Sequence, residues 1–343
     1  MSAESVPVID IAPFLSGDPA GKKAVAEAVA AACTEIGFFA ITGHGVKQDL
    51  VEDLREAAHT FFEQSEDIKR RTVHPVKDTP RGLRVMQGES LGRTLRPDAT
   101  PDLKEFYHYG RETWPDAPYY TCPEGQQYFI PNIWPDEPES FRKACLAYYA
   151  EMERLVTDLG HIGALALGLR EDWFEDKLDR HVTAVRLNYY PLLDQAPPPG
   201  QIRAGEHTDY GFFTILMGED EAGGLQVKTR SGKWIDVETR PDFFVINIGD
   251  LLMRWTNDTW LSNLHRVVNP PEGSKPTRGR LSVGYFTQPN YDAMIECIPT
   301  CTGADNPPRY APVQSGKYRD LKYEQGNDIG DTAGDAVSDT VKA

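Results

Sequence analysis

The hydrophobic and polar residues of the first part of the chain follow a pattern that predicts helices alternating with short strands. Residues 6–11 read as a short strand, after which Asp18 and Pro19 provide a cap and a first-turn proline for a helix that ends at Gly37. A buried strand is predicted directly afterwards, at residues 38–41. The chain therefore begins with a strand, a helix and a second strand.

Two further helices are predicted at residues 47–63 and, longer, from 140 to about 169. In the longer helix, apolar residues recur every three or four positions, which is typical of a helix with one buried face. Residues 75–135 lie between these helices and are rich in Pro, Gly, Tyr and Trp, with weak periodicity. We expect this segment to be irregular structure folded over another part of the protein, and not a linker.

Beyond residue 181 the pattern changes to short runs typical of strands, separated by turn clusters rich in Pro and Gly. The predicted strands are 182–190, 212–217, 225–228, 234–237, 243–248, 265–268 and 280–286. Helices followed by many short strands favour a mainly β fold, a double-sheet jelly roll with helices packed on its outside.

These patterns divide the chain into three regions. Residues 1–135 form a helical and irregular N-terminal region that does not fold independently, and residues 136–323 hold the long helix and the β-rich core. Residues 324–343 contain five acidic residues and one lysine but little to bury, so we expect a disordered acidic tail.

Charge and composition narrow the range of partners. The formal net charge of −16, without a compensating basic stripe, argues against nucleic acid or an anionic membrane as the main partner. No apolar run approaches the roughly 18–20 residues needed to span a bilayer. The N-terminus lacks a targeting leader, and five scattered cysteines suit a reducing compartment. We expect a cytoplasmic protein, and the sequence leaves its oligomeric state open.

Two histidines and one aspartate form the candidate metal site. His207 and Asp209 lie two residues apart, so on an extended segment their side chains leave the same face, and His265 must arrive from another strand. Two imidazoles and one carboxylate form the facial triad of non-haem Fe(II) oxygenases, which leaves three metal positions open. A single His-x-Asp also occurs by chance, and a zinc hydrolase is the chemical competitor.

Two residue pairs near the triad suit the binding of a dicarboxylic acid. Arg280 and Ser282 share one face of a predicted strand and combine a permanent cation with a hydroxyl group. Asn188 and Tyr190 share a face of another strand in the same way. The alternative interpretation makes Arg280 a surface ion pair, and a zinc hydrolase would give Arg280 no obvious purpose.

The motifs together resemble the isopenicillin N synthase-like family of Fe(II)- and 2-oxoglutarate-dependent dioxygenases. The likeness covers nearly all of residues 6–290. The motifs that carry it are residues 6–10, 37–39, 43–45, 102–105, 188–191, 207–211, 224–227, 247–250, 265–267 and 280–282.

This resemblance implies a double-stranded β-helix of cupin-like type with N-terminal helices outside it. It implies that Fe(II) is bound by His207, Asp209 and His265, that 2-oxoglutarate is bound by the residues named above as suiting a dicarboxylic acid, and that O2 is consumed. The implied reaction hydroxylates, desaturates or rearranges a small molecule, by family similarity a specialised metabolite, with release of succinate and CO2.

Four aromatic or imidazole side chains are candidates for contact with the organic substrate: Phe106, His108, Phe212 and Phe286. For Phe212 and Phe286 the alternative is a place in the barrel core. Two other functions stay open at this point. One is an oxidase of the same fold that does not consume 2-oxoglutarate, and the other is a non-catalytic binding protein on the jelly-roll scaffold.

Overall fold

Two β-sheets face each other, and helices cover the outer face of the larger one. The structure is a computed structural model that describes residues 5–327, apart from 77–78, 87, 97, 194, 196, 220–223, 272 and 275. The architecture is the predicted jelly roll, mainly β with flanking helices.

The fourteen strands of the described residues form these two sheets and one short hairpin. The larger sheet has eight strands in the order β1-β2-β10-β7-β12-β5-β4-β3, the smaller has the order β6-β11-β8-β9, and β13 pairs with β14. The strands are β1 Val8–Asp10, β2 Phe38–Thr42, β3 Gly82–Arg84, β4 Glu105–Gly110, β5 Ala184–Tyr190, β6 Ala204–His207, β7 Phe213–Gly218, β8 Leu225–Lys228, β9 Trp234–Asp236, β10 Phe244–Ile248, β11 His265–Val267, β12 Arg280–Phe286, β13 Met294–Ile295 and β14 Val313–Gln314.

The helices begin where the sequence supplies starting signals. Asp18 caps the second helix by accepting a hydrogen bond from the Gly21 N–H at 2.7 Å, and Pro19 is its first residue. The α-helices are α1 Ala12–Leu15, α2 Pro19–Glu35, α3 Gln48–Phe62, α4 Glu66–Lys69, α5 Pro118–Thr121, α6 Glu139–Ala166, α7 Glu175–Leu178, α8 Asp250–Trp255 and α9 Ser315–Asn327. Helices α2 and α3 both pack against the long helix α6.

Alternation along the central strands separates a hydrophobic core from a polar cavity. In β5, Val185, Leu187 and Tyr189 pack into the core beneath the helices, while Arg186 and Asn188 line the cavity between the sheets. Strand β12 repeats this arrangement, because successive side chains of a strand point to opposite faces. The functional side chains are therefore fixed to the same strands that carry the core.

The structure corrects three expectations about secondary structure. Residues 75–135 are not irregular throughout, since β3 and β4 extend the larger sheet at its edge. The chain does not become disordered at residue 324, because α9 continues to Asn327, and the remainder of the expected tail lies outside the described residues. Strand β6 was not predicted at all, although it carries the first histidine of the candidate site.

Several other features bear on the sequence expectations. Strands β1 to β4 come from the first 135 residues and join the sheet of the later region, and that division of the chain stays a prediction. All five cysteines are unpaired. Among the described helices, none combines the length and the apolar character that crossing a bilayer requires.

The structure places Phe212 in the core, which corrects the expectation that this residue contacts substrate. Its side chain is 0% exposed and packs against Phe174, Phe213 and Trp255 in the core beneath the helices. Phe286, in contrast, is only partly buried and lines the cavity. The alternative core assignment is therefore right for Phe212 and wrong for Phe286.

We predict that Phe212→Ala lowers the free energy of unfolding by about 3–5 kcal/mol, because it leaves a cavity in a closely packed aromatic cluster. Phe286→Ala is the matched control and should cost clearly less, since its ring already faces open space. Urea denaturation of both variants measures the difference. Equal losses would contradict the assignment of the two rings to different environments.

Candidate active site

The pairing of β6 with β11 brings the two predicted histidine ligands together. His265 lies directly opposite His207 in this antiparallel pair, and the centroids of the two imidazole rings are 4.2 Å apart. Asp209 follows β6 after one residue, and its Oδ1 lies 3.8 Å from Nε2 of His265. One potential ligand atom from each residue can be chosen so that all lie within 4.8 Å of one another. The described residues contain no second such group of three.

Backbone carbonyl groups fix the orientation of both imidazoles. Nδ1 of His207 lies 2.7 Å from the carbonyl oxygen of Gly205, and Nδ1 of His265 lies 3.1 Å from that of Asn263. Because a carbonyl only accepts, each Nδ1 carries the proton and donates it. Each Nε2 is left with a free lone pair, the tautomer in which histidine binds a metal ion.

The Asp209 carboxylate is held through one of its two oxygens. Oδ2 accepts hydrogen bonds from the Thr214 hydroxyl at 2.6 Å and from the Asn247 amide at 2.7 Å. Asp209 is buried, so these donors replace the hydration that the carboxylate loses. Oδ1 stays on the side of the histidines and offers one oxygen to a metal ion.

Electrostatics keep the triad in a metal-binding protonation state. Burial, followed by the neighbouring His265, lowers the pKa of His207 to about 3. Burial raises the pKa of Asp209, but the two histidines and the hydrogen bonds from Asn247 and Thr214 outweigh burial and leave the pKa below its usual value. A neutral imidazole therefore faces an ionised carboxylate at neutral pH, as metal binding requires.

The first turn of α8 anchors the loop that carries Asp209. The N–H groups of Asp250 and Leu251, which have no partner within the helix, donate to the carbonyl groups of Asp209 and Tyr210 at 2.7 and 3.2 Å. The Asp250 carboxylate accepts from the hydroxyl groups of Thr208 and Ser262 and pairs with Lys322 of α9 at 3.2 Å. Asp250 thus links the metal loop, the approach to β11 and the last helix.

Strands β5 and β12 bring the predicted dicarboxylate-binding residues to one end of the same cavity. Arg280 pairs with Tyr190 and Ser282 with Asn188 in the antiparallel register, and all four line the cavity together with the triad. The Arg280 guanidinium lies over the Tyr190 ring at 4.7 Å. A Cβ on Gly224 would lie 2.7 Å from this guanidinium, so the glycine leaves room for it.

Arg280 has no carboxylate partner among the residues that the structure describes, while its strand is held from the other side. The Glu219 carboxylate accepts from the Leu281 N–H at 2.7 Å and also contacts Nε2 of His59 on α3 at 2.7 Å. A buried acid thereby holds the backbone beside Arg280 without neutralising its charge. The guanidinium is left available to an external anion.

A second cationic end of the cavity was missed in the sequence. Lys104 and Arg186 line the cavity, and both contact Glu89: Arg186 Nη1 donates to its two oxygens at 3.0 and 2.9 Å, and Lys104 Nζ lies 2.9 Å from it. Arg186 lies two residues before Asn188 on β5. Extending the alternation by one step would have found it.

Phe106 and His108 support this second end and do not line the cavity themselves. Arg186 lies over the Phe106 ring at 4.3 Å, and its Nε donates to Nε2 of His108 at 2.7 Å. Burial, followed by the charge of Arg186, holds the pKa of His108 well below its usual value, so the imidazole is a neutral acceptor. Neither residue is among those that line the cavity, and direct contact with the substrate stays a prediction for both.

Comparisons with known proteins agree with this geometry. The family model of the N-terminal region of non-haem dioxygenases in morphine synthesis matches residues 6–137, and that of the 2OG-Fe(II) oxygenase superfamily matches 182–289. The 2-oxoglutarate-Fe(II) type oxidoreductase hxnY of Emericella nidulans is 33% identical over 91% of this chain and 88% of its own length. The chain belongs to the isopenicillin N synthase-like family of Fe(II)- and 2-oxoglutarate-dependent dioxygenases.

Solved structures share the whole fold with this family member. A full-length Neurospora crassa protein, crystallised in complex with α-ketoglutarate (2-oxoglutarate), has a TM-score of 0.81 and 31% identity, covering 92% of this chain and 95% of its own. JOX2, in complex with 2-oxoglutarate, Fe and JA, has a TM-score of 0.73 and 27% identity, covering 92% and 84%. This dioxygenase uses Fe(II), 2-oxoglutarate and O2, and it acts on small molecules.

The chemistry of the site fits both groups. Two imidazole nitrogens and one carboxylate oxygen are the donor set of non-haem Fe(II). A guanidinium without a carboxylate partner among the described residues fits the far carboxylate of 2-oxoglutarate, and Gly224 supplies the space around it. The residues of this chain can therefore hold both groups within one cavity.

Proposed function

We propose that His207, Asp209 and His265 bind the Fe(II) of this dioxygenase. The observation that carries the proposal is the convergence of three buried or half-buried donor atoms whose other atoms are already hydrogen-bonded to Gly205, Asn263, Thr214 and Asn247. Such supporting contacts orient ligands before the metal arrives. Little reorganisation is then needed when the ion binds.

Arg280 and Ser282 bind the far carboxylate of 2-oxoglutarate, and Asn188 and Tyr190 contact its chain. The register of β5 and β12 supports this assignment, because it places Arg280 opposite Tyr190 and Ser282 opposite Asn188 on the cavity face. Arg280 offers two parallel N–H groups to a carboxylate, and the Tyr190 ring holds its plane.

The bound iron supplies the redox chemistry that couples O2 and 2-oxoglutarate to oxidation of the substrate, with release of succinate and CO2. The protein holds the co-substrate by its far end, keeps the Asp209 carboxylate ionised, and places the organic substrate beside the triad. The reaction is hydroxylation, desaturation or rearrangement of the substrate, and product analysis distinguishes these outcomes.

The substrate is a small molecule and neither nucleic acid nor a membrane component. The net charge of −16 disfavours polyanionic partners, and the cavity lies between two sheets. Relatives support small substrates: a Glycine max relative is named homoarginine-6-hydroxylase, and the Neurospora crassa protein has also been crystallised with thymine. The specialised-metabolite substrate and the cytoplasmic location stay predictions.

We predict that Asp209→Ala abolishes Fe(II)-dependent succinate release, because it removes the only anionic donor of the triad. Succinate is measured after incubation with Fe(II), 2-oxoglutarate and O2. Asp236→Ala removes an exposed carboxylate of β9 and should behave as wild type. Full succinate release by Asp209→Ala would remove this residue from the metal site.

Arg280→Met should raise the KM for 2-oxoglutarate roughly ten- to 150-fold, since a charged hydrogen bond contributes about 1.5–3 kcal/mol. Arg278→Met is the matched control, because Arg278 lies two residues earlier, is exposed and pairs with Glu63. Initial-rate kinetics at varied 2-oxoglutarate compare the two variants. An unchanged KM in Arg280→Met would exclude it from the co-substrate site.

Thr214→Val keeps the shape of the side chain but removes one of the two donors to Asp209. We expect Fe(II) affinity to fall about 10- to 100-fold, as is typical when the partner of a metal ligand is lost. Anaerobic competition with a chromophoric chelator measures the dissociation constant, and Thr60→Val on the exposed face of α3 is the control. Equal affinities for the two variants would show that Thr214 does not support the ligand.

A further inference from the structure

The cavity has two cationic ends on one strand. Tyr190, Asn188 and Arg186 lie on the same face of β5, and Arg280 lies opposite Tyr190. Tyr190 and Arg186 are four positions apart along β5, which corresponds to about 13 Å at ~3.3 Å per residue. One end is assigned to 2-oxoglutarate in the proposed function, so the other end is left for the organic substrate.

The Arg186 end is the one beside the metal ligands. Phe286 pairs with Thr214, and the Thr214 hydroxyl donates to Asp209. Arg186 and Phe286 both line the cavity, and the guanidinium lies 5.7 Å from the centroid of the Phe286 ring. A molecule held by these two side chains would therefore lie next to the triad.

Arg186 is held in place with one of its NH2 groups, Nη2, unused. Its Nη1 donates to both oxygens of Glu89, and its Nε donates to His108. Among the described residues, no hydrogen bond from its Nη2 is found beside these. Because Phe106 stacks on the guanidinium at 4.3 Å, the plane of the group is fixed and Nη2 is a preorganised donor.

The cationic side chains at the Arg186 end are matched in formal charge by carboxylates. The two cations are Arg186 and Lys104, and the two carboxylates are Glu89 and Asp102, which lie 2.9 and 3.3 Å from Lys104 Nζ. Burial raises the pKa of Glu89, but Arg186 and Lys104 lower it to about 2, so this carboxylate stays ionised. An added carboxylate would introduce an uncompensated buried charge, whereas an uncharged oxygen would not.

The aromatic wall of this end is flat. A Cβ on Gly284 would lie 2.8 Å from the Phe286 ring, so the ring folds back over the glycine of its own strand. The ring therefore lies against β12 and also lines the cavity. A planar ring is the shape that stacks on such a surface.

We infer that this end of the cavity binds a small planar ring bearing an uncharged carbonyl oxygen, which accepts a hydrogen bond from Nη2 of Arg186 while the ring lies against Phe286. The inference rests on the proposed function and names the class of its organic substrate. Lys104, Glu89 and His108 are positioning residues, since they act through the Arg186 guanidinium.

Anaerobic calorimetric titration of the Fe(II)- and 2-oxoglutarate-loaded enzyme tests this inference by direct binding. The probes are thymine and benzamide, which carry uncharged carbonyl groups, and benzoate, which matches benzamide in shape but carries a charge. Thymine and benzamide should bind, and benzoate should bind at least about tenfold more weakly than benzamide. Benzoate binding as tightly as benzamide, or no binding of either carbonyl probe, would overturn the inference.

Arg186→Met should weaken the binding of both carbonyl probes at least about tenfold, which corresponds to loss of one charged hydrogen bond. Arg186→Lys is the second variant, because it keeps a cation for Glu89 but lacks the planar donor group. Both should bind 2-oxoglutarate within about twofold of wild type. Unchanged probe binding in the two variants contradicts the inference, whereas failure of the wild-type enzyme to bind 2-oxoglutarate contradicts the proposed function instead.

Discussion

The antiparallel pairing of β6 with β11 is the constraint on which the active site depends. It places His207 directly opposite His265, so that both imidazoles leave the same face of the smaller sheet. A shift of one residue in this register would turn one histidine to the other face of the sheet and separate it from the other two residues of the triad. Asp209 is held in a different way, because the first turn of α8 hydrogen-bonds its backbone.

The same strands of the larger sheet contribute side chains to the core and to the cavity. Residues of β5 and β12 that point outward pack under the helices, and those that point inward line the cavity. The two cationic ends differ in their partners. The Arg280 guanidinium lies over the Tyr190 ring, and Gly224 leaves room for it. The Arg186 guanidinium is instead hydrogen-bonded to the Glu89 carboxylate. One end is therefore suited to an anion and the other to a neutral acceptor.

The sequence predicted strands correctly where their apolar residues form a clear pattern. The runs at 225–228 and 280–286 agree with the bounds of β8 and β12, because continuous or alternating apolar residues mark both. Strand β6 was not predicted because Ala204 and Gly205 are poor strand formers. Only its pairing with β11 makes this segment a strand. Helix α9 is almost entirely polar, so periodicity gave no signal for it.

For the candidate site, the sequence shows which residue types are present, and the structure shows how they are arranged. The candidate triad could be proposed from the sequence because two histidines and one carboxylate form the donor set of non-haem Fe(II), and the nearby Arg280 favoured an oxygenase over a zinc hydrolase. Phe212 and Phe286 are chemically identical, and only the burial of one and the exposure of the other to the cavity separates their roles. Arg186 was overlooked although the alternation that groups Asn188 with Tyr190 includes it.

The ion pair between Lys322 and Asp250 connects the last helix, α9, to the first turn of α8, which anchors the loop that carries Asp209. Proteolytic trimming that removed Lys322 would strip a buried acid of this cation and leave it with the hydroxyl donors of Thr208 and Ser262. Damage to the last helix would thus loosen the loop that carries Asp209, although Lys322 is not among the residues that line the cavity.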